Sequence, residues 1–347
     1  MKSAKLLPIT LLAVSLVILA SLPALARSPG NVAGSLPASN IPQAQTVPPP
    51  QAETDPIRFE RISVVDGLSH SLVTSIFQDR QGFMWFGTED GLNKYDGYQF
   101  TVYKHDPGDP ATLAHNDLRT IYEDRDGELW IGTSAGLDRF DRTTGTFIHY
   151  QHDPSDPKSL SAGQVRSIYE DEAGTLWVGT VSGLNRYDRA TQTFTRYLRY
   201  HIVSAIHEDR NGELWIGTHV GLARFDRTAG TCTYYSHNPH DPQSLSSNWV
   251  STIYEDRQGD LWVGTSGGGL NRLDRSTQTF THYRHDPDDP FSLSDDRVMS
   301  ILEDSAGRLW VGTWNGLNLL VPSEAEGLDR SQDRFRHCRH DSQTCTA

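Results

Sequence analysis

"LWVGTVSGLNRYDRATQTFTRY", residues 176 to 197, is written with small changes six times along this chain. The other copies begin "MWFGTEDGLNKYD" at Met84, "LWIGTSAGLDRFD" at Leu129, "LWIGTHVGLARFD" at Leu214, "LWVGTSGGGLNRLD" at Leu261 and "LWVGTWNGLNLL" at Leu309. A phrase repeated this often describes architecture, so specificity lies in what the copies do not share. The repeated Trp falls at 85, 130, 177, 215, 262 and 310, at spacings of 45, 47, 38, 47 and 48 residues. A period of about forty to fifty residues made of short strands and turns is the pattern of a propeller blade.

Within the third copy "VRSIYED" (165 to 171) is β-rich, "DEAG" turns the chain, "TLWVGT" is a second strand and "VSG" a second turn. "LNRYD", the turn "RATQ" and "TFTRY" then complete four strands joined by tight hairpins, one antiparallel blade. Every copy has Asp-x-x-Gly between strands one and two, from Asp79 and Gly82 to Asp304 and Gly307. Asp bonds its own turn and Gly takes a positive φ, so these aspartates read as turn formers before metal or acid–base groups. The repeated Trp, flanked by Leu and Val or Ile, reads as filling between blades. "HDPGDPATL" (105 to 113) and its copies at 152, 237 and 285 invite a metal reading, but their prolines favour a rigid loop. Where "YLRYHIV" links Tyr197 to Val203 the phrase is absent and the repeat survives, so the phrase is a loop insertion.

With 31 Lys plus Arg against 44 Asp plus Glu the net charge is −13, and no basic stripe stands out, so nucleic acid is not an expected partner. "MKSAKLLPITLLAVSLVILASLPALA" has Lys2 and Lys5, an apolar run and Ala24-Leu25-Ala26, which predicts a secretory signal over residues 1–26, cut after Ala26. A membrane is a partner only if that segment stays uncleaved. Residues 27–56, rich in Pro, Ala, Ser and Gln, read as a disordered spacer, and 57–347 as the propeller. The expected location is periplasmic or secreted. Of Cys232, Cys338 and Cys345, the last two are close enough in sequence to pair, but no disulfide framework is written here.

The combination "V..IYED..G.LW(I/V)GT..GLNR(Y/F)D" with "HDP.DP.SL" resembles the two-component regulator propeller repeats of exported bacterial sensor regions. The resemblance runs from about residue 57 to the end and implies an all-β, ligand-sensing propeller, often placed before a β-sandwich, a membrane span and a histidine kinase. After residue 26 the sequence shows no second long apolar run, kinase-like helical segment or nucleotide loop, so the expectation is the input part alone. Residues 57–63 align with a fourth strand standing ahead of blade one, and "DRFRHC" with the fourth strand of blade six. The expected ring is therefore six-bladed with a spare outer strand, or an incomplete seven-bladed one from a truncated array.

The positions after each "GT" and before each first strand differ between copies and are expected at one mouth of the channel. They nominate as ligand-binding His70, Glu89, Asp90, Asn116, Ser134, Gln164, Ser182, His219, Trp249, Ser266, Asp295 and Trp314. Trp249 and Trp314 lie outside the repeated core, and aromatic rings among amides and hydroxyls suit an oligosaccharide or another polar, flat-faced small molecule. Ordinary loop packing is the plainer reading of each. His70, His201 and His219 converging on a metal lacks a recognised spacing, and neither metal nor cofactor is expected. The leading expectation is a non-catalytic sensing module that signals to a partner such as a histidine kinase. The alternatives are a protein-interaction scaffold, or a glycosidase or lyase using Glu89, Asp90, Asp117, Asp295 or Asp296, though no pair of these is singled out by context.

Overall fold

The computed structural model describes residues 61–322 and 333–338. They contain six antiparallel sheets of four strands, each paired in chain order. Blades one to six span residues 73–103, 118–150, 165–197, 203–235, 250–283 and 298–338. First strands of successive blades are neighbours, so they surround the central channel and fourth strands lie outermost, giving a six-bladed β-propeller. Blade three has strands Val165–Glu170, Leu176–Thr180, Gly183–Asp188 and Thr193–Tyr197, as its hairpin signals predict. Of the extra outer strand expected over 57–63, residues 61–63 carry no strand and lead into a 3-10 turn, Val64–Asp66, while 57–60 lie outside the described residues. Blade six does end in the strand Arg334–Cys338. The expected signal and spacer lie outside the described residues. Cys338 is disulfide-bonded, Cys345 falls outside the described residues, and Cys232 is free with its thiol pushed up to about 11 by burial.

The turn aspartate and the repeated Trp act as one device. In blade four Asp209 Oδ1 accepts the backbone N–H groups of Asn211 and Glu213, both at 2.9 Å, while Oδ2 accepts the Trp215 indole N–H at 2.8 Å. The same indole bond recurs in every blade, at 2.8 Å for Asp79, Asp124, Asp171 and Asp256 and 2.9 Å for Asp304. A buried tryptophan thereby satisfies its N–H while its ring packs onto the next blade, as Trp130 does against Tyr187 at 5.3 Å between centroids.

An arginine after strand three closes each of four interfaces. Arg142 joins Asp79 of blade one to Glu123, both at 2.8 Å, and Arg189 joins Asp124 of blade two to Glu170, both at 2.9 Å. Arg227 reaches Asp171 and Glu208, and Arg275 reaches Asp209 and Glu255. Burial is the largest influence on Asp79 and Asp209 and pushes each carboxyl up. The arginine, the indole and the turn backbone together outweigh it and hold both below the usual carboxylate range. Blade one has Gly97 and blade six Pro322 where these arginines stand.

Among the described residues, the packing that joins successive blades is not repeated between blade six and blade one. A Cβ on the "GT" glycine of any of the first five blades would meet the next blade's first strand: Leu118 Cβ at 3.2 Å from Gly87, Val165 Cγ1 at 2.8 Å from Gly132 and Val298 Cγ1 at 2.6 Å from Gly264. At Gly312 the nearest atoms all belong to Ser300 of the same blade. Five apolar clusters span two consecutive blades, whereas the Trp310 cluster of blade six and the Leu68, Val73 and Phe86 cluster of blade one each stay within the terminal blade and its own flanking residues. The glutamate that ties each later blade to the turn before it is Gln78 in blade one, bonded to its own Gly82 carbonyl at 3.4 Å.

The "HDP" loops are built as rigid connectors. Each histidine Nδ1 bonds a leucine carbonyl eight residues on, from His105 to Leu113 at 2.6 Å through His285 to Leu293 at 2.6 Å. Those leucines are buried. Blade two departs from its siblings by carrying Asp138 where blades one, three, five and six bury an Asn. Asp138 accepts from His149 Nδ1 at 2.7 Å while His149 Nε2 meets the Pro110 carbonyl at 2.9 Å, an arrangement that suits the doubly protonated ring. The Asp138 bond raises the His149 pKa against the opposing effect of burial. Stability from a raised histidine is complete below about pH 6.5 and is lost as pH rises through the folded value. The wild-type thermal midpoint is therefore expected to fall relative to Asp138→Asn between pH 6 and pH 9, measured by circular dichroism. Parallel pH profiles would show that the pair carries no charge.

Candidate functional site

The second residue of each first strand varies between copies, as Thr74, Arg119, Arg166, Ser204, Ser251 and Met299, with Arg and Ser each in two of the six. Five of these six, all but Thr74, line a cavity of about 300 Å³ together with Trp249 and Ser266. Thr74 instead donates to the Leu118 carbonyl at 2.7 Å and stitches blades one and two. Two of the lining residues, Arg119 and Arg166, end a connected polar chain. Arg119 donates to Asp117 at 2.6 Å, Ser134 donates to the same Asp117 oxygen at 2.6 Å, and Gln164 bonds Ser134 and Arg166 at 3.4 Å each. An aromatic row ends at the cavity: Tyr234, His201, His219 and Trp249 follow one another at centroid distances of 5.9, 5.8 and 6.5 Å, and Trp249 is the member that lines it. Trp249 keeps 42 % of its surface exposed at the end of this row.

Of the nominated positions, Trp249 and Ser266 line the cavity, Ser134 and Gln164 connect its lining residues Arg119 and Arg166 through hydrogen bonds, and His219 meets Trp249 edge to face. Trp314 is covered by the Arg297 guanidinium at 4.7 Å, and Arg297 also holds Asp295 at 3.0 Å, so these two form a separate group on blade six. Arg297 keeps the Asp295 carboxyl below its usual range. Asn116 pins a connector by accepting the His105 backbone N–H at 2.7 Å, a role Asp296 repeats for His285. Asp90 pairs with Lys104 at 2.6 Å, His70 accepts from Leu72 N–H at 3.2 Å, and the Ser182 carbonyl accepts from Tyr200 N–H at 3.1 Å. Glu89 is exposed. Of the five carboxylates weighed for catalysis, Asp90, Asp117 and Asp295 each engage a cation and Asp296 a backbone N–H. His201 and His219 adjoin, while His70 belongs to blade one, and no group of three metal-ligating side chains occurs among the described residues.

Arg119, Arg166, Ser204, Ser251 and Met299 escaped the sequence reading because they sit inside the repeated strand phrase. The signal was present: the residue after the Val or Leu opening each first strand is Thr, Arg, Arg, Ser, Ser and Met in the six copies, whereas the Ile two positions further on is constant.

A profile of the two-component regulator propeller matches six times, at residues 67–90, 112–135, 159–182, 197–219, 244–267 and 292–315. The chain is built of two-component regulator propeller repeats. Each match ends on the variable residues after "GT", so the repeats carry the site's framework within them. The propeller resembles the extracellular domain of a hybrid two-component system of B. thetaiotaomicron at 25 % identity and a TM-score of 0.61, over 84 % of this chain and 49 % of that one. The chain thus spans about half the length of that relative. A segment of 64 residues is 41 % identical to histidine kinase P4 of Formosa agariphila, covering 18 % of this chain and 5 % of the kinase. Virginiamycin B lyase of Staphylococcus aureus shares the fold alone, at 16 % identity and a TM-score of 0.56 over 75 % of this chain and 85 % of the lyase. Among the described residues no helix is long and apolar enough to cross a membrane.

Proposed function

We propose that this propeller is an exported, non-catalytic ligand-sensing module, the input region of a two-component sensor, acting on a histidine kinase or comparable signalling partner. The observation that carries the reading is the channel cavity, where side chains that the repeat does not dictate converge from five blades beside a half-exposed Trp249. Hydroxyls and guanidinium groups beside an exposed indole are the chemistry that holds an oligosaccharide, its hydroxyls on the polar side chains and a sugar face on the ring. Similarity to extracellular domains of two-component systems supports an exported location and a sensing role.

The test is thermal unfolding of the purified chain against a panel of plant and microbial oligosaccharides. A ligand bound only by the folded state raises the midpoint with concentration. The shift is expected to vanish in Trp249→Ala and to persist in Trp314→Ala, because Trp314 is stacked on Arg297 away from the cavity lining. A shift abolished by Trp314→Ala alone would move the site to blade six, and catalytic breakdown of the bound sugar would replace sensing with an enzyme.

A further inference from the structure

Among the described residues Arg166 is a cation without a counter-charge, in an acidic chain. Its one side-chain bond is the long contact from Nε to Gln164 at 3.4 Å, and among the described residues its only charged neighbour is a second cation, Arg119. The interface arginines 142, 189, 227 and 275 each hold two carboxylates. Arg119 is neutralised by Asp117 at 2.6 Å, so the pair leaves one positive charge in the cavity wall of a chain of net charge −13. Burial and the Arg119 charge both disfavour ionised Arg166.

Two buried donors beside it also lack partners, Arg119 Nε and the Ser204 hydroxyl; so does the acceptor Asp117 Oδ1. Unpaired buried donors and an uncompensated guanidinium cost stability, and an anion beside Arg166 in the cavity that Arg119 and Ser204 also line would offset that charge. A guanidinium fork matches the two oxygens of a carboxylate or sulfate.

We propose that the channel binds an anionic saccharide, a carboxylate or sulfate group held by Arg166, Arg119 and Ser204 while a sugar ring lies on Trp249. This rests on the channel being the ligand site. The experiment compares wild type, Arg166→Gln and Arg166→Lys by thermal unfolding and calorimetry, with a galacturonate homotrimer, its neutral galactose counterpart and inorganic sulfate at constant ionic strength. The galacturonate trimer is expected to bind wild type at least tenfold more tightly than the galactose trimer. Arg166→Gln is expected to lose at least tenfold for the anions, Arg166→Lys less, and the neutral sugar should be unaffected. Without ligand, Arg166→Gln is expected to unfold at or above the wild-type temperature, since it removes an unpaired charge. A sulfate response that needs Arg166, without one to galacturonate, supports the site and assigns it to a sulfate group. The proposal is overturned if Arg166→Gln keeps the anion response, if wild type answers neither anion, or if ligand-free Arg166→Gln is as destabilised as Arg275→Gln. Equal binding of the two trimers, lost in Trp249→Ala, overturns the anion preference while sparing the channel reading.

Discussion

Asp209→Ala is expected to lower stability by about 3–5 kcal/mol, enough to reduce the thermal midpoint by roughly 10 °C. The substitution removes two turn bonds at 2.9 Å and the Trp215 indole bond at 2.8 Å, and it deprives Arg275 of one of its two principal carboxylates. Asp256→Ala is the informative control. Asp256 makes the same turn and indole bonds, at 2.9 to 3.0 Å and 2.8 Å, yet Pro322 stands where blade six would supply the arginine. The Asp256 variant should therefore lose less, and the difference reads the Arg275 contribution. Because the Asp209 carboxyl is held below its ordinary value, this stabilisation is present above about pH 4 and disappears as pH falls through the folded pKa. Equal losses at pH 7 would mean that the inter-blade ion pair contributes nothing beyond the turn and the indole.

Gly179→Ala tests how tightly the blades abut. Its Cβ would lie 2.6 Å from Val203 Cγ1 and 2.9 Å from the Val203 carbonyl of the next blade, besides 2.2 Å from Ser167 Oγ. A hydroxyl can rotate away, but the backbone of a neighbouring blade cannot, so blades three and four must separate. Overpacking of this kind costs about 1–3 kcal/mol or more. Gly312→Ala, in the same position of blade six, meets only its own Ser300, with Oγ at 2.5 Å and nothing else nearer than 3.8 Å. It is expected to cost well under half as much by denaturant unfolding. If the two variants were equally damaged, blade six would have to be packed against a neighbour in solution.

The blade was legible because it is a local object. Hairpin turns with Gly82, Gly174 and Gly307 at positive φ and the alternation of each strand act over a few residues, and six copies make the pattern unmistakable. The rigid character of the "HDP" loops was legible for the same reason, since histidine and carbonyl are eight residues apart. The variable positions after "GT" and before the first strands led to Trp249, Ser266, Ser134 and Gln164, but their grouping was not readable, because Asp295 and Trp314 look equivalent to them in sequence and are engaged by Arg297 instead. The arginines of the interfaces were overlooked, since the partner of Arg142 lies 63 residues away and that of Arg275 lies 66 away.

By itself, then, the sequence determined the four-stranded blade, the number of its copies and the family they form, because short-range turn chemistry and strand periodicity are written in neighbouring residues. Tertiary structure alone decided that, among the described residues, Gly312 does not abut the first strand of blade one as its counterparts abut their neighbours, that Arg166 has no counter-charge while four other arginines each hold two carboxylates, and which variable side chains share one cavity. Those outcomes depend on how blades are set around a channel, where residues more than forty positions apart meet, and charge balance is settled only by that meeting.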